Sequence, residues 1–252
     1  MAGHQTADIV FCMDASGSMS PTFDGVRDNV IKLVNSLKAD LQNEWDVRFD
    51  FLAYSNHSCS TMRLETMNCK GKTVLDELYG NSGPNGCTGS GNFFTSDVRE
   101  FIDKIKNVEC NGDEASGLAL DIASDFPFRD AATCHRVVIL LTDESISTGE
   151  YERQTEKKVM DLAKKFQDKK IALYMVTPDC TVYDTLSQID KCEWTIDSSD
   201  GLTNVDFTKL MQSIGKSVSV SQSTVSGRNE PQPLFNESKW SHYNSDQVIV
   251  HL

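Results

Sequence analysis

The stretch that decides the fold is Asp8-Ile-Val-Phe-Cys-Met-Asp-Ala-Ser-Gly-Ser18. Its first half is a near-continuous apolar run, the pattern of a strand buried on both faces, as in a parallel sheet. Its second half places Asp14, Ser16 and Ser18 two residues apart. In extended chain, side chains at that spacing point the same way, so one carboxylate and two hydroxyls converge. These are hard oxygen ligands, suited to Mg²⁺, Mn²⁺ or Ca²⁺ rather than to zinc. Gly17 is expected to give the loop the freedom to wrap an ion. Taken singly, Asp and Ser at these places also cap helices and shape turns.

Outward from this stretch the chain alternates strand and helix patterns, which predicts an α/β fold with a mainly parallel sheet. Val26, Val30, Ile31, Val34 and Leu37 predict a helix over 21–40, and 47–54 reads as the second strand. Residues 56–94 read as irregular, with one short strand near 62–67. Helices are expected over 95–108, capped by Thr95 or Ser96, and over 114–125. His135-Arg-Val-Val-Ile-Leu-Leu-Thr-Asp143 is a second buried strand ending in a carboxylate. A charged helix over 150–168, a strand over 171–177, a short helix over 181–190, a strand over 192–196 and a closing helix from Phe207 complete the pattern. Residues 1–221 form the predicted domain. Residues 222–252 read as linker and tail, ending in an apolar Val248-Ile-Val-His-Leu252 fit to dock as an edge strand or bind a partner.

Two apolar strands ending in Asp14 and Asp143 matter together. In open α/β sheets, ligands bind outside the carboxyl ends of the strands, where strand order reverses. With 24 Lys+Arg against 37 Asp+Glu the net charge is −13. That acidity disfavours nucleic acid, whose binding rests on basic side chains, and favours cations. The apolar run Val137–Leu141 is far short of the roughly 20 residues a membrane helix needs. No secretory signal is visible, so a cytoplasmic location is expected. The eight cysteines lack any Cys-x-x-Cys pair. They are read as thiols, with no structural zinc. His135 is read as structural, and the lysine pairs at 157–158, 164–165 and 169–170 as a solvated face.

Asp14-x-Ser16-x-Ser18 after an apolar strand, with Asp143 closing a later one, resembles the von Willebrand factor A (vWA) domain and its metal-ion-dependent adhesion site. The resemblance covers about residues 7–221. It implies a doubly wound, mostly parallel sheet flanked by helices, with one antiparallel edge strand. It also implies a divalent ion, Mg²⁺ or else Mn²⁺ or Ca²⁺, and a domain that binds a protein partner without catalysing a reaction. An acidic partner side chain completes the metal shell in that family. The family's Thr ligand falls at Glu114 here, which resembles a branch with an acidic loop in that place, and Asp113 is the alternative ligand. A third carboxylate implies tighter metal binding and less demand for an acidic partner. Two other readings stand beside this one. One is a scaffold with a structural metal that docks through its tail. The other is a Mg²⁺- or Mn²⁺-dependent hydrolase, which needs a base and phosphate-binding cations that neither strand end supplies.

Overall fold

The structure, a computed structural model, describes residues 4–38, 44–56, 62–79, 93–112, 116–146 and 155–226. Its elements are β1 (His4–Asp14), α1 (Ser20–Lys38), β2 (Glu44–Asn56), β3 (Met62–Glu65), α2 (Lys72–Tyr79), α3 (Val98–Ile105), α4 (Ser116–Ala123), β4 (His135–Leu141), α5 (Thr155–Asp168), β5 (Ile171–Thr177), α6 (Thr181–Ser187), β6 (Cys192–Ile196) and α7 (Phe207–Ser226). A 3-10 turn, Gly17–Met19, links β1 to α1, and another, Asp200–Leu202, precedes α7.

The six strands lie in the order β3-β2-β1-β4-β5-β6. All neighbours are parallel except β3, which runs antiparallel to β2. The α/β fold with one antiparallel edge strand is thus the one expected. From β1 the chain moves outward to β2 and β3, then returns to the other side of β1 for β4. The order reverses between β1 and β4, which is where a ligand crevice belongs.

Side-chain alternation along β1 sorts the core into two layers. Ala7, Ile9, Phe11 and Met13 face a cluster built with Val26, Val30 and Leu33 of α1, Phe101 and Ile105 of α3, and Met211 and Ile214 of α7. Val10 and Cys12 face a second cluster with Ala119 and Leu120 of α4, Phe166 of α5 and Leu186 of α6. Each fully buried aliphatic or aromatic side chain contributes roughly 1.5–3 kcal/mol, so continuous apolar strands are what a two-sided cover requires. Ile31, expected on the buried face of α1, is instead 51% exposed, and Leu33 is buried.

Three local expectations are corrected. The stretch 56–94 contains a helix, α2, whose Val74 is buried and whose Leu75 and Leu78 pack on the second cluster. The cap of α3 is Asp97, whose carboxylate accepts from the Arg99 and Glu100 amides. Thr95 hydroxyl instead accepts from the Asp97 amide and donates to Glu100. The lysine strip is partly bound: Lys165 Nζ donates to Asp121 and Asp125 at 2.7 and 2.8 Å, and Lys169 pairs with Asp125.

Two buried carboxylates organise the frame. Asp8, fully buried in β1, is held by Arg48 and Arg129, and Arg129 also pairs with Asp46. Burial alone would raise the Asp8 carboxyl, yet the bonds from these two guanidinium groups hold it below its usual value. Asp50, fully buried in β2, accepts from the amides of Phe51, Met67 and Phe94. Burial pushes its carboxyl up to about 7 against those three donors. Beside it, Phe49 and Thr95 exchange two backbone hydrogen bonds of 2.7 and 2.8 Å.

Candidate functional site

β1 and β4 end side by side, with Met13 in register with Leu141, so Asp14 lies next to Thr142 and one residue from Asp143. Asp14 is fully buried. A carboxylate taken out of water must be hydrogen-bonded, and here Oδ1 accepts from the Ser16 amide and Oδ2 from the Thr142 hydroxyl, both at 2.8 Å. The Asp14 charge is felt around it. Together with burial, it helps push the Cys12 thiol and the Tyr54 and Tyr183 hydroxyls well above their usual values.

Ser16 holds the N-cap position of the turn Gly17–Met19, but its hydroxyl makes no capping bond. It lies 3.3 Å from the Ser18 hydroxyl instead. The capping explanation therefore does not account for the side chain of Ser16, which is 3% exposed. Gly17 has no left-handed φ, and a Cβ built there meets nothing within 4 Å.

Asp143 is held from a different direction. Its Oδ2 accepts from the Gly201 amide at 2.6 Å, while its buried Oδ1 has no hydrogen-bond partner. Gly201 has φ of +61°, and an added Cβ would stand 2.4 Å from the Ser18 carbonyl oxygen. Its own carbonyl accepts from the Thr22 hydroxyl at 2.8 Å. One glycine thus joins the Ser16–Ser18 turn, the start of α1 and Asp143. On the far side of Asp14, the Asn111 amide donates to the Ala15 carbonyl at 2.7 Å. Arg63 of β3 donates to the Asn111 side chain and the Glu109 carbonyl at 2.9 and 3.1 Å.

The structure therefore brings Asp14, Ser16, Ser18 and Asp143 to one edge of the sheet. Glu114 and Asp113 lie outside the described residues. Among the described residues, no three His, Cys, Asp or Glu side chains group as metal ligands. What they contribute is two carboxylates and two hydroxyls. Thr142, Asn111, Arg63 and Gly201 support the site without having been singled out in the sequence. Thr142 had a local signal, as the strand-end neighbour of Asp143. Gly201 had none, since its partners are Ser18, Thr22 and Asp143.

His135, at the opposite end of β4, is 7% exposed with its Nε2 unpartnered. Burial, with Lys191 nearby, lowers its pKa to about 4. Cys12, Cys69, Cys110, Cys134, Cys180 and Cys192 are thiols, while Cys59 and Cys87 lie outside the described residues. Among the described residues, no helix is long and apolar enough to cross a membrane.

Comparison with known proteins agrees with this architecture. Residues 8–86 match the von Willebrand factor type A domain model, a span that includes Asp14, Ser16 and Ser18. No curated protein sequence matches the chain. A von Willebrand factor type A structure from Catenulispora acidiphila is similar at 15% identity and a TM-score of 0.52, over 85% of this chain and 43% of that one. Proximal thread matrix protein 1 from the mussel byssus is similar at 16% identity and a TM-score of 0.51, over 84% of this chain and 47% of that one. The chain spans less than half the length of either. Such domains are commonly protein-interaction modules, and the fold of this chain is a vWA-like α/β fold.

Proposed function

We propose that the chain is a divalent-cation-dependent protein-binding module whose ligand face is the edge carrying Asp14, Ser16, Ser18 and Asp143. The observation that carries this reading is Asp143 Oδ1, a buried carboxylate oxygen with no hydrogen-bond partner. An anionic oxygen left so costs about 1–3 kcal/mol or more unless a cation satisfies it. The Ser16 and Ser18 hydroxyls, which cap no helix, supply neutral oxygen donors beside it. The donor set is all oxygen, which fits Mg²⁺ first and Mn²⁺ or Ca²⁺ as substitutes. Glu114 or Asp113 would add a third carboxylate from the loop that follows Asn111, itself tied to Ala15.

When bound, such an ion supplies a positive centre able to accept an acidic side chain of a protein partner. The chain's own residues do the rest. Thr142 and the Ser16 amide hold Asp14 in one orientation, and Gly201 holds Asp143. Binding without catalysis is the reading, because hydrolysis would need a base and phosphate-binding cations. Arg63, the guanidinium near this edge, is already engaged by Asn111 and Glu109. Calorimetric titration of Mg²⁺ and Mn²⁺ into metal-stripped protein tests the proposal. Stoichiometric binding, lost in Asp14→Ala and Asp143→Asn, is expected. No heat, together with a melting temperature unchanged by chelator, would refute it. Glu114→Thr should weaken Mg²⁺ binding, and unchanged affinity would remove Glu114 from the ligand set.

A further inference from the structure

Among the described residues, β6 is the last strand of the sheet on its side. The Lys191 carbonyl accepts from Leu173, and the Asp197 amide donates to Thr177. Backbone groups alternate sides along a strand, so residues 191, 193, 195 and 197 bond to β5. Cys192, Trp194 and Ile196 therefore turn their N–H and C=O groups to the open edge. Among the described residues, no strand pairs with that side. Exposed edges are commonly guarded by Pro, Lys or a bulge. The strand Cys192-Glu-Trp-Thr-Ile196 has no Pro, and its charges, Glu193 and the flanking Lys191, are ones a partner strand must match.

The geometry points to a second copy of this chain as the occupant, paired antiparallel about a two-fold axis at Trp194. In that register Trp194 faces Trp194 of the other copy, and Cys192 faces Ile196. These are the residues whose backbone groups point outward, so all three positions on each strand become hydrogen-bonded pairs. On one sheet face the join sets Cys192, Trp194 and Ile196 against their equivalents. This covers Ile196, which is 54% exposed in the single chain. On the other face Lys191 lies opposite Asp197, and Glu193 opposite Thr195. Lys191 and Asp197 form non-hydrogen-bonded pairs, where cross-strand side chains come closest. The twofold repeats that ion pair, so both charges are matched twice. A C2 interface requires this property of a single surface. The result is a continuous twelve-stranded sheet with the two candidate cation sites outside the join.

Sedimentation of the 252-residue chain over about a hundredfold range of concentration tests this. A species of twice the 28.0 kDa chain mass is expected to grow with concentration. Ile196→Pro removes only an outward-facing donor, which an edge strand tolerates. It should give a monomer that melts with the parent at concentrations low enough for the parent to be monomeric too. Lys191→Asp and Asp197→Lys, each alone, should weaken dimerisation about tenfold or more by opposing like charges. The double swap should recover to within about threefold, and it decides the matter even if Ile196→Pro fails to fold. Amides of Cys192, Trp194 and Ile196 should gain exchange protection in the dimer. A chain that stays monomeric across the range, or a dimer indifferent to the charge swaps, would overturn the proposal.

Discussion

Gly201 is the residue through which the candidate site stands or falls, and replacing it with alanine gives a calculable loss. The backbone there has φ of +61°, and the new Cβ would lie 2.4 Å from the Ser18 carbonyl oxygen and 3.2 Å from the Pro21 ring. A left-handed conformation costs an L side chain roughly 1–2 kcal/mol. The contact with Ser18 is worse, because a backbone oxygen cannot rotate aside. Relief requires the Gly201 peptide to move, which breaks its bond to the Asp143 carboxylate. A hydrogen bond to a charged group contributes about 1.5–3 kcal/mol. The stiffer unfolded chain returns about 0.4–1 kcal/mol. The net loss is about 2–4 kcal/mol, or a melting temperature lower by roughly 5–15 °C at about 2–4 °C per kcal/mol for a domain this size. Scanning calorimetry of Gly201→Ala beside Gly17→Ala measures it. Gly17 has open space around it and no left-handed φ, so its variant should melt with the parent or up to about 4 °C above it, from the same unfolded-state effect. If Gly201→Ala melts with the parent too, the close approach to Ser18 is not what holds this edge together.

Three further outcomes follow from the frame. Gly25→Ala would place a Cβ 2.5–2.8 Å from three ring atoms of Phe207. This should destabilise the α1–α7 contact despite alanine's helix propensity, and Phe207→Leu should relieve part of the loss in a double-mutant cycle. Asp8→Asn leaves Arg48 and Arg129 without their buried counter-charge and should cost about 3–5 kcal/mol by urea titration. A loss under about 1 kcal/mol would show the network to be dispensable. Between pH 4 and 7 two buried groups oppose each other. Asp50, raised from 3.8 to about 7, binds a proton in the folded state first, so its contribution is full below 3.8 and is lost as pH rises toward 7. His135, lowered from 6.5 to about 4, charges first in the unfolded state, so its contribution is lost as pH falls from 6.5 toward 4. Relative to the parent, Asp50→Asn should lose stability on acidification through this window, and His135→Gln should gain it. Melting curves at several pH values read both slopes, and parallel profiles would contradict the assignment.

Much of the fold was legible because its signals are local. Runs such as Ile9–Met13 and Val137–Leu141 are apolar on both faces, and only a covered parallel sheet buries both. The strand ends at Asp14 and Asp143 were readable for the same reason. The helical pattern of α2 at Val74, Leu75 and Leu78 is short and stands among glycines, which mask it in the sequence. Ile31 and Leu33 share one helix, and which of them is buried depends on how α7 lies against it. The supports of the site were the least readable. Gly201 acts through Ser18 and Asp143, and Arg63 through Asn111; no spacing rule connects residues so far apart in the chain. Lys165 and Lys169 read as a solvated strip because their acceptors, Asp121 of α4 and Asp125 in the turn after it, lie some forty residues earlier in the chain.

Asp50 joins Met67 and Phe94 to the middle of β2, and Phe49 clasps Thr95 beside it. The chain between those two anchor points leaves and re-enters the sheet at one fixed root. Closing a loop whose ends are already fixed costs little more as it lengthens, about 0.6 kcal/mol for each doubling. Insertions that leave Val74, Leu75 and Leu78 of α2 and Phe93 on the second core cluster should therefore cost the strands little. The root works like a socket: Asp50 and Phe49 grip both ends of the segment, and Val74 of α2 and Phe93 seat it on the core.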